Sequence, residues 1–316
     1  MSERRQTARG GTYPERRGSP PPREFFDAER PAAGNRAVRV SLGEVRVELR
    51  GLDEARAEAL YDRYRPYSSL DPGGDDGVVR VRVGLEEREY FIVPPERAEF
   101  NPVFLEPDDD GVVRYLGYKV AGWFDVGRGA GALLLARGTF EPDLRSFENY
   151  VRATVAWRAA ELGGALVHAA SAVREGRGYL FYGESGAGKS TLAASTRRAT
   201  IVSDDLSLVL PGAGGALHLV GSPFRGTYEQ GDPVQGSFPV AAGFRLVKAA
   251  EAEVRAVPRV LAMSELVGNL PFLAEAFGRR PDLFANVERA FSAVPLAHLH
   301  FRKDDSYWDA IERAGL

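Results

Sequence analysis

Apolar and polar positions alternate in short runs from residue 37 to about 140, as in Val78–Val83. Clusters rich in Asp, Gly and Pro separate these runs, a pattern typical of antiparallel strands with one solvated face. One helix, Leu52–Tyr64, interrupts the strands. The preceding residues are rich in Arg, Pro, Gly and Ser, which favours disorder. We therefore predict a disordered tail over 1–36 and a small, mostly antiparallel α+β module over 37–144.

The pattern changes to helical spacing at residue 145. Apolar side chains recur from Phe147 to Leu162, and Gly163-Gly164 ends the run, so we predict a helix over 145–162 that links two modules. Two apolar strands, Ala165–Val173 and Gly178–Tyr182, follow and are joined by a turn. Further strands are predicted at 200–205, 206–210, 244–248 and 296–301, and helices at 264–270, 281–291 and 307–311.

The segment after Tyr182 carries the most specific motif. Gly183–Ser190 fits G-x-x-x-x-G-K-[ST], with a short apolar strand before it and a helix start after it. Glycines let backbone N–H groups turn toward phosphate oxygens, Lys189 can reach the β- and γ-phosphates, and the Ser190 hydroxyl can bind magnesium. The alternative is a glycine-rich turn that only resembles such a loop. The predicted nucleotide-binding residues are Gly183, Glu184, Ser185, Gly186, Ala187, Gly188, Lys189, Ser190 and Thr191.

An acidic pair and a histidine flank this loop in the sequence. Asp204 and Asp205 end an apolar strand, so one carboxylate can face magnesium while the other accepts a proton from an attacking hydroxyl. Such pairs also cap turns. His168 lies in an apolar segment fifteen residues before Gly183, where a buried structural histidine and a catalytic one remain equally open.

Composition narrows the class of protein. The 316 residues carry a net charge of −3 and no cysteine, which excludes disulfides, thiolate metal sites and a general electrostatic attraction to nucleic acid. No apolar run approaches the length of a membrane span, and no signal peptide is visible. We expect a cytoplasmic protein that binds neither nucleic acid nor membrane.

Together these residues resemble the catalytic domain of HPr kinase/phosphorylase. The similarity rests on Leu166-Val-His-Ala-Ala, on Gly178–Thr191 and on Val202-Ser-Asp-Asp, and diverged members of the family also share Ser222-Pro-Phe-Arg-Gly. The resemblance implies an α/β (α+β) fold over 145–316, a P-loop kinase-like domain of the type shared with ATP-dependent phosphoenolpyruvate carboxykinase. Its hexameric relatives imply that the chain forms a homo-oligomer.

The resemblance also implies roles for individual residues. Lys189 would contact the phosphates and Ser190 the magnesium ion, while one of Asp204 and Asp205 would serve as base and the other, Asp205 in our assignment, would lie near the metal. His168 would lie close to the acidic pair. Arg225 would stabilise charge on the transferring phosphoryl group.

We therefore expect an ATP- and Mg²⁺-dependent kinase that phosphorylates a serine hydroxyl on a protein, a peptide or a small molecule. A rival hypothesis is a nucleotide-binding switch or accessory protein without transfer chemistry, which would need the loop but neither the acidic pair nor His168. A carboxykinase-like enzyme is a third possibility, but it would need substrate-binding arginines that the sequence does not locate.

Overall fold

A computed structural model describes residues 19–74, 77–92, 103–137, 144–226, 232–273 and 276–316. The chain divides into two compact units. The first comprises residues up to Ser41 with Val45–Val155, and the second comprises Leu42–Glu44 with Ala156–Leu316. The division falls within a helix, Arg145–Glu161, rather than at the residue 144/145 boundary drawn from the sequence.

The first unit is built on one eight-stranded sheet. Its elements are β1 Arg36–Leu42, β2 Val45–Leu52, α1 Glu54–Tyr64, β3 Ser68–Leu70, β4 Val78–Glu86, β5 Val103–Pro107, β6 Val113–Gly117, β7 Val120–Asp125 and β8 Ala130–Ala136, followed by α2 Arg145–Glu161. The strand order is β3-β1-β2-β4-β8-β7-β6-β5.

Most strand pairs of this sheet are antiparallel, as in the module that we predicted, but the sheet as a whole is mixed. β4 pairs in parallel with both β2 and β8. Each parallel pair needs a long connection, which α1 and β3 provide between β2 and β4, and β5 to β7 provide between β4 and β8. The prediction of one solvated face is wrong for β8, which is buried on both faces from Gly131 to Ala136. The apolar run Tyr90–Val93 also predicts a strand from the sequence, but residues 90–92 form none, and Val93 lies outside the described residues.

Part of the predicted disordered tail is ordered. Arg23–Phe26 forms a short 3-10 helix, and the buried Phe26 belongs to a cluster with Phe91, Leu116 and Leu134. Burial of an aromatic ring against strand residues stabilises this segment. The prediction of disorder therefore fails for 19–36, while residues 1–18 lie outside the described part of the chain.

The second unit is built on a sheet that closes on itself. Its elements are β9 Ala165–Arg174, β10 Arg177–Tyr182, α3 Lys189–Ser195, β11 Thr200–Ser203, β12 Leu206–Pro211, β13 Leu217–Val220, β14 Ser237–Lys248, β15 Glu253–Ala256, α4 Arg259–Val267, α5 Ala276–Arg279, α6 Pro281–Phe291, β16 Leu296–Phe301 and α7 Tyr307–Arg313. The order is β10-β9-β12-β13-β14, and β14 pairs again with β10. β11 pairs with β9, and β16 and β15 extend from β14.

The predicted fold class is therefore wrong. The protein has two large mixed sheets, one of them a closed five-stranded barrel, with 27% of residues in helices and 37% in strands, and this is not the α/β fold of P-loop proteins. Two long strands close the ring. β9 is hydrogen bonded to β10, β11 and β12, and β14 pairs antiparallel with β13 in its first part and parallel with β10 and β16 in its second.

An aromatic core contains residues of β10, β14, β16 and α7. Phe181 and Phe244 stack with ring centroids 5.8 Å apart, and Tyr307 and Trp308 of α7 pack edge-on against Phe181. Leu192 of α3 joins the same cluster. The core thereby fixes the strand before the glycine-rich loop and the helix after it. Within the described ranges, no helix is long and apolar enough to span a bilayer.

Candidate functional site

The glycine-rich loop, Gly183–Gly188, joins the end of β10 to the start of α3. Gly183, Gly186 and Gly188 all have positive φ angles, of 152°, 79° and 111°, a region that side chains disfavour. Two of these glycines are also tightly packed. A Cβ on Gly183 would lie 2.9 Å from the Ala187 Cβ, and one on Gly188 would lie 2.7 Å from the Phe301 ring. The loop shape therefore depends on glycine for both backbone and packing reasons.

Lys189, the first residue of α3, folds back across the loop. Its side chain is buried, with 8% exposed, and its Nζ donates hydrogen bonds to the carbonyls of Gly183 at 2.7 Å and Glu184 at 3.3 Å. Burial lowers the pKa of Lys189, and the nearby Asp205 carboxylate opposes that shift. An ammonium group has three donors, so one remains for an anion held by the loop.

The other polar side chains of the loop face solvent. Glu184, Ser185, Ser190 and Thr191 are all exposed. The Glu184 carboxylate lies 3.9 Å from the guanidinium of Arg245 on β14. The exposed Ser190 hydroxyl at the start of α3 is accessible to a magnesium ion that retains several waters.

Asp204 and Asp205 lie between β11 and β12 and point to different surroundings. Asp204 is 3% exposed, and its Oδ1 accepts a hydrogen bond from the Gly226 N–H at 2.7 Å. The turn itself is held by Ser203, whose hydroxyl donates to the Phe224 carbonyl at 2.7 Å and accepts from the Asp205 N–H at 3.1 Å. Asp204 therefore fastens the segment Ser222–Gly226 beside the acidic pair.

Asp205 meets the histidine that we singled out from the sequence. His168 Nε2 lies 3.5 Å from Asp205 Oδ1, and the two side chains are 41% and 29% exposed. Both groups are thus partly open to a ligand. Ala169 pairs with Tyr182, so the strand register places His168 next to Gly183, the first residue of the loop that carries Lys189. His168 is not the buried structural residue that was the alternative.

Arg225 precedes the glycine that binds Asp204. Its guanidinium donates to the Asp232 carbonyl at 2.8 Å, and its backbone N–H donates to the Pro223 carbonyl at 2.9 Å. Arg225 is thus adjacent in the chain to Gly226, whose N–H donates to Asp204.

Sequence reasoning missed Asn269, which follows α4. Its Oδ1 accepts a hydrogen bond from the Gly183 N–H at 3.3 Å, and its carbonyl accepts one from the His168 N–H at 2.8 Å. A single asparagine at the end of a predicted helix gives no sign of such contacts, because 86 residues separate it from Gly183.

The residues present suit a phosphate chain with magnesium better than a metal held by protein alone. Within the described part of the chain, no three His, Cys, Asp or Glu side chains converge to hold a metal ion. Magnesium usually binds through one or two protein groups, with phosphate oxygens and waters completing its six ligands. The Ser190 hydroxyl and the carboxylates of the acidic pair are oxygen ligands of the kind that such a magnesium ion takes.

These features define a candidate phosphate-binding site on a closed, mixed sheet, with a histidine and an aspartate beside it. A family model described as SynChlorMet cassette protein ScmC matches residues 146–315. The match covers more than half of the chain, and the chain therefore belongs to the ScmC family. A search of curated proteins finds no match.

Proposed function

We propose that this protein is an ATP-dependent kinase that transfers the γ-phosphoryl group to a serine hydroxyl of a protein, a peptide or a small molecule. One observation carries the proposal: the His168–Asp205 pair lies next to the start of the glycine-rich loop, because Ala169, the residue after His168, pairs with Tyr182, the residue before Gly183. A switch without transfer chemistry would have no need of that pair. The motif resemblance to HPr kinase supports the same reaction.

The loop and Lys189 would bind the nucleotide phosphates. Backbone N–H groups in a glycine-rich turn and a buried ammonium group favour anions, and the Lys189 ammonium lies across this loop. Magnesium would neutralise charge on the β- and γ-phosphates, with Ser190 and one carboxylate of the acidic pair among its ligands.

Asp205 and His168 would handle the proton of the acceptor. The hydroxyl oxygen forms a bond to the γ-phosphorus, the bond from that phosphorus to the β–γ bridging oxygen breaks, and ADP leaves with the electron pair. The hydroxyl proton passes to the Asp205 carboxylate, which His168 supports at 3.5 Å. This reverses the roles that we assigned from the sequence, where Asp204 was the base and Asp205 lay near the metal, because Asp204 is the buried carboxylate of the two. Asp204, buried and bonded to Gly226, would hold the neighbouring loop in place.

The test is transfer of labelled phosphate from γ-labelled ATP. Because the family is described as a cassette protein, peptides and proteins encoded beside the gene are the first acceptors to try, with free serine and an HPr-type protein as further candidates. We expect label on one acceptor with wild type and none with Lys189→Met, which retains most of the buried side-chain volume.

Two further variants sharpen the result. Lys303→Ala removes an exposed lysine outside the site and should transfer label at the wild-type rate. Asp205→Asn should bind nucleotide but lose transfer. Full transfer by Lys189→Met, or tight nucleotide binding by wild type with no label on any acceptor, would refute the kinase.

A further inference from the structure

Asn269 contacts both halves of the candidate site. Its side-chain oxygen accepts the N–H of Gly183, where the loop begins, and its backbone carbonyl accepts the N–H of His168 on β9. We propose that Asn269 is a positioning residue that holds the phosphate loop in a fixed place relative to His168. This role rests on the proposed phosphoryl transfer, because only a transfer step requires the phosphate loop and His168 to keep a fixed relative position.

The orientation of the Asn269 amide is determined by its contacts. Nδ2 donates to the Glu265 carbonyl at 2.8 Å, which leaves Oδ1 as the atom that faces Gly183. A flipped amide would place a donor against the Gly183 N–H and an acceptor against the Glu265 carbonyl. The side chain therefore has one favourable orientation, and that orientation occupies the first N–H of the loop.

The segment that carries Asn269 is anchored on two strands. Glu265, one turn earlier, forms an ion pair with Arg245 of β14 at 3.2 Å and a hydrogen bond with His298 of β16 at 2.8 Å. These strands run parallel to β10 in the same sheet, so the end of α4 is fixed to the framework that supports the loop. The hydrogen bond from Gly183 to Asn269 can thereby hold Gly183 in a defined position.

Precise placement matters because transfer requires the attacking oxygen, the phosphorus and the leaving oxygen to lie roughly in line. A displacement of about 1 Å can reduce the rate by about 10²-fold without abolishing binding. Loss of the Asn269 side chain frees the start of the loop while leaving Lys189 and the remaining loop N–H groups intact. We therefore expect Asn269→Ala to slow transfer by about 10-fold to 100-fold and to change the nucleotide Kd by less than about threefold.

The matched control is Asn286→Ala. Asn286 is also half-buried, and its amide also donates to a backbone carbonyl, that of Ala160, but it lies on α6 and contacts neither the loop nor β9 in the described residues. Single-turnover transfer and nucleotide Kd are measured for wild type and both variants. A second readout is the ring-proton NMR signal of His168 without ligand, assigned among four histidines with His168→Gln.

Slower transfer, nearly unchanged Kd and a shifted His168 signal in Asn269→Ala alone support the positioning role. Equal losses of rate and affinity, or a rate and a His168 signal like those of Asn286→Ala, overturn it. If wild type transfers to no acceptor, the proposed function fails, and the ligand-free His168 signal still decides whether Asn269 couples loop and histidine. Should Asn269→Ala not fold, Asn269→Asp replaces it. Aspartate retains the shape of the side chain but removes the donor to the Glu265 carbonyl, and we expect transfer to slow by about threefold to tenfold.

Discussion

Gly188→Ala tests how the glycine-rich loop rests on the aromatic core. Gly188 precedes α3 with φ at 111°, and a Cβ there would lie 2.7 Å from the Cζ atom of Phe301. Phe301 ends β16 and is buried in the core cluster. Alanine therefore meets two separate obstacles, an unfavourable backbone conformation and the edge of a packed ring.

The two costs are separable with Gly186→Ala. Gly186 also has a positive φ, 79°, but a Cβ there would meet nothing within 4 Å. Its cost is conformational, about 1–2 kcal/mol. Gly188→Ala carries the same cost and a further 1–3 kcal/mol, roughly, for moving the ring. We expect Gly188→Ala to destabilise the second unit by about 2–5 kcal/mol in total.

Tryptophan fluorescence during urea unfolding measures the difference. The chain has three tryptophans, and Trp123→Phe leaves Trp157 and Trp308, both buried in the second unit, as reporters. Phe301→Leu should reduce the additional penalty of Gly188→Ala and not change the effect of Gly186→Ala. Equal destabilisation by the two alanine variants, with unchanged urea dependence, would show that Phe301 does not pack under Gly188 and would refute the reasoning.

Two other changes test the acidic turn and the outer strands. In Gly226→Ala the new Cβ would lie 3.0 Å from Asp204 Oδ2 and 3.1 Å from Asp205 Cβ, so transfer should slow by about tenfold or more while nucleotide Kd stays within threefold; an unchanged rate would contradict this crowding. Burial and the nearby Arg255 lower the pKa of His300 from 6.5. The unfolded chain therefore binds this proton more tightly than the folded chain, and the free energy of unfolding should fall as the pH drops below 6.5. Urea titrations at pH 7.5 and 5 measure that fall, which should be smaller in His300→Gln.

Local elements could be predicted where their sequence signals are local. α6 spans Pro281–Phe291 and β16 spans Leu296–Phe301, as expected from a proline at the helix start and from alternating apolar residues. The hairpin of β9 and β10 also follows from its sequence, because Glu175 and Gly176 supply the two positive φ angles that a tight turn requires.

The closure of the sheet could not be predicted in the same way. Only the second half of β14, Phe244–Lys248, has an evident strand pattern, whereas the strand begins at Ser237. Residues 237–239 pair with β13, and residues from Val240 onward pair with β10. Which strands lie side by side depends on contacts far apart in sequence, and a pattern of apolar residues does not encode the partner.

The candidate site likewise has parts that the sequence predicts and parts that it does not. The loop residues could be recognised from a continuous motif, and the closeness of His168 to the acidic pair was expected from the resemblance and is present at 3.5 Å. The bond from Gly226 to Asp204 and the contacts of Asn269 join segments that no motif links.

β9 explains why these separate segments meet without the predicted fold. Three strands pair with it: Tyr182, just before the loop, lies opposite Ala169; Ser203, just before the acidic pair, lies opposite Ser171; and Leu206, just after it, lies opposite His168. Side chains alternate between faces along a strand, so a one-residue slip of β9 would turn His168 away from Asp205. The placement of the site therefore depends on the register of β9 with its neighbours.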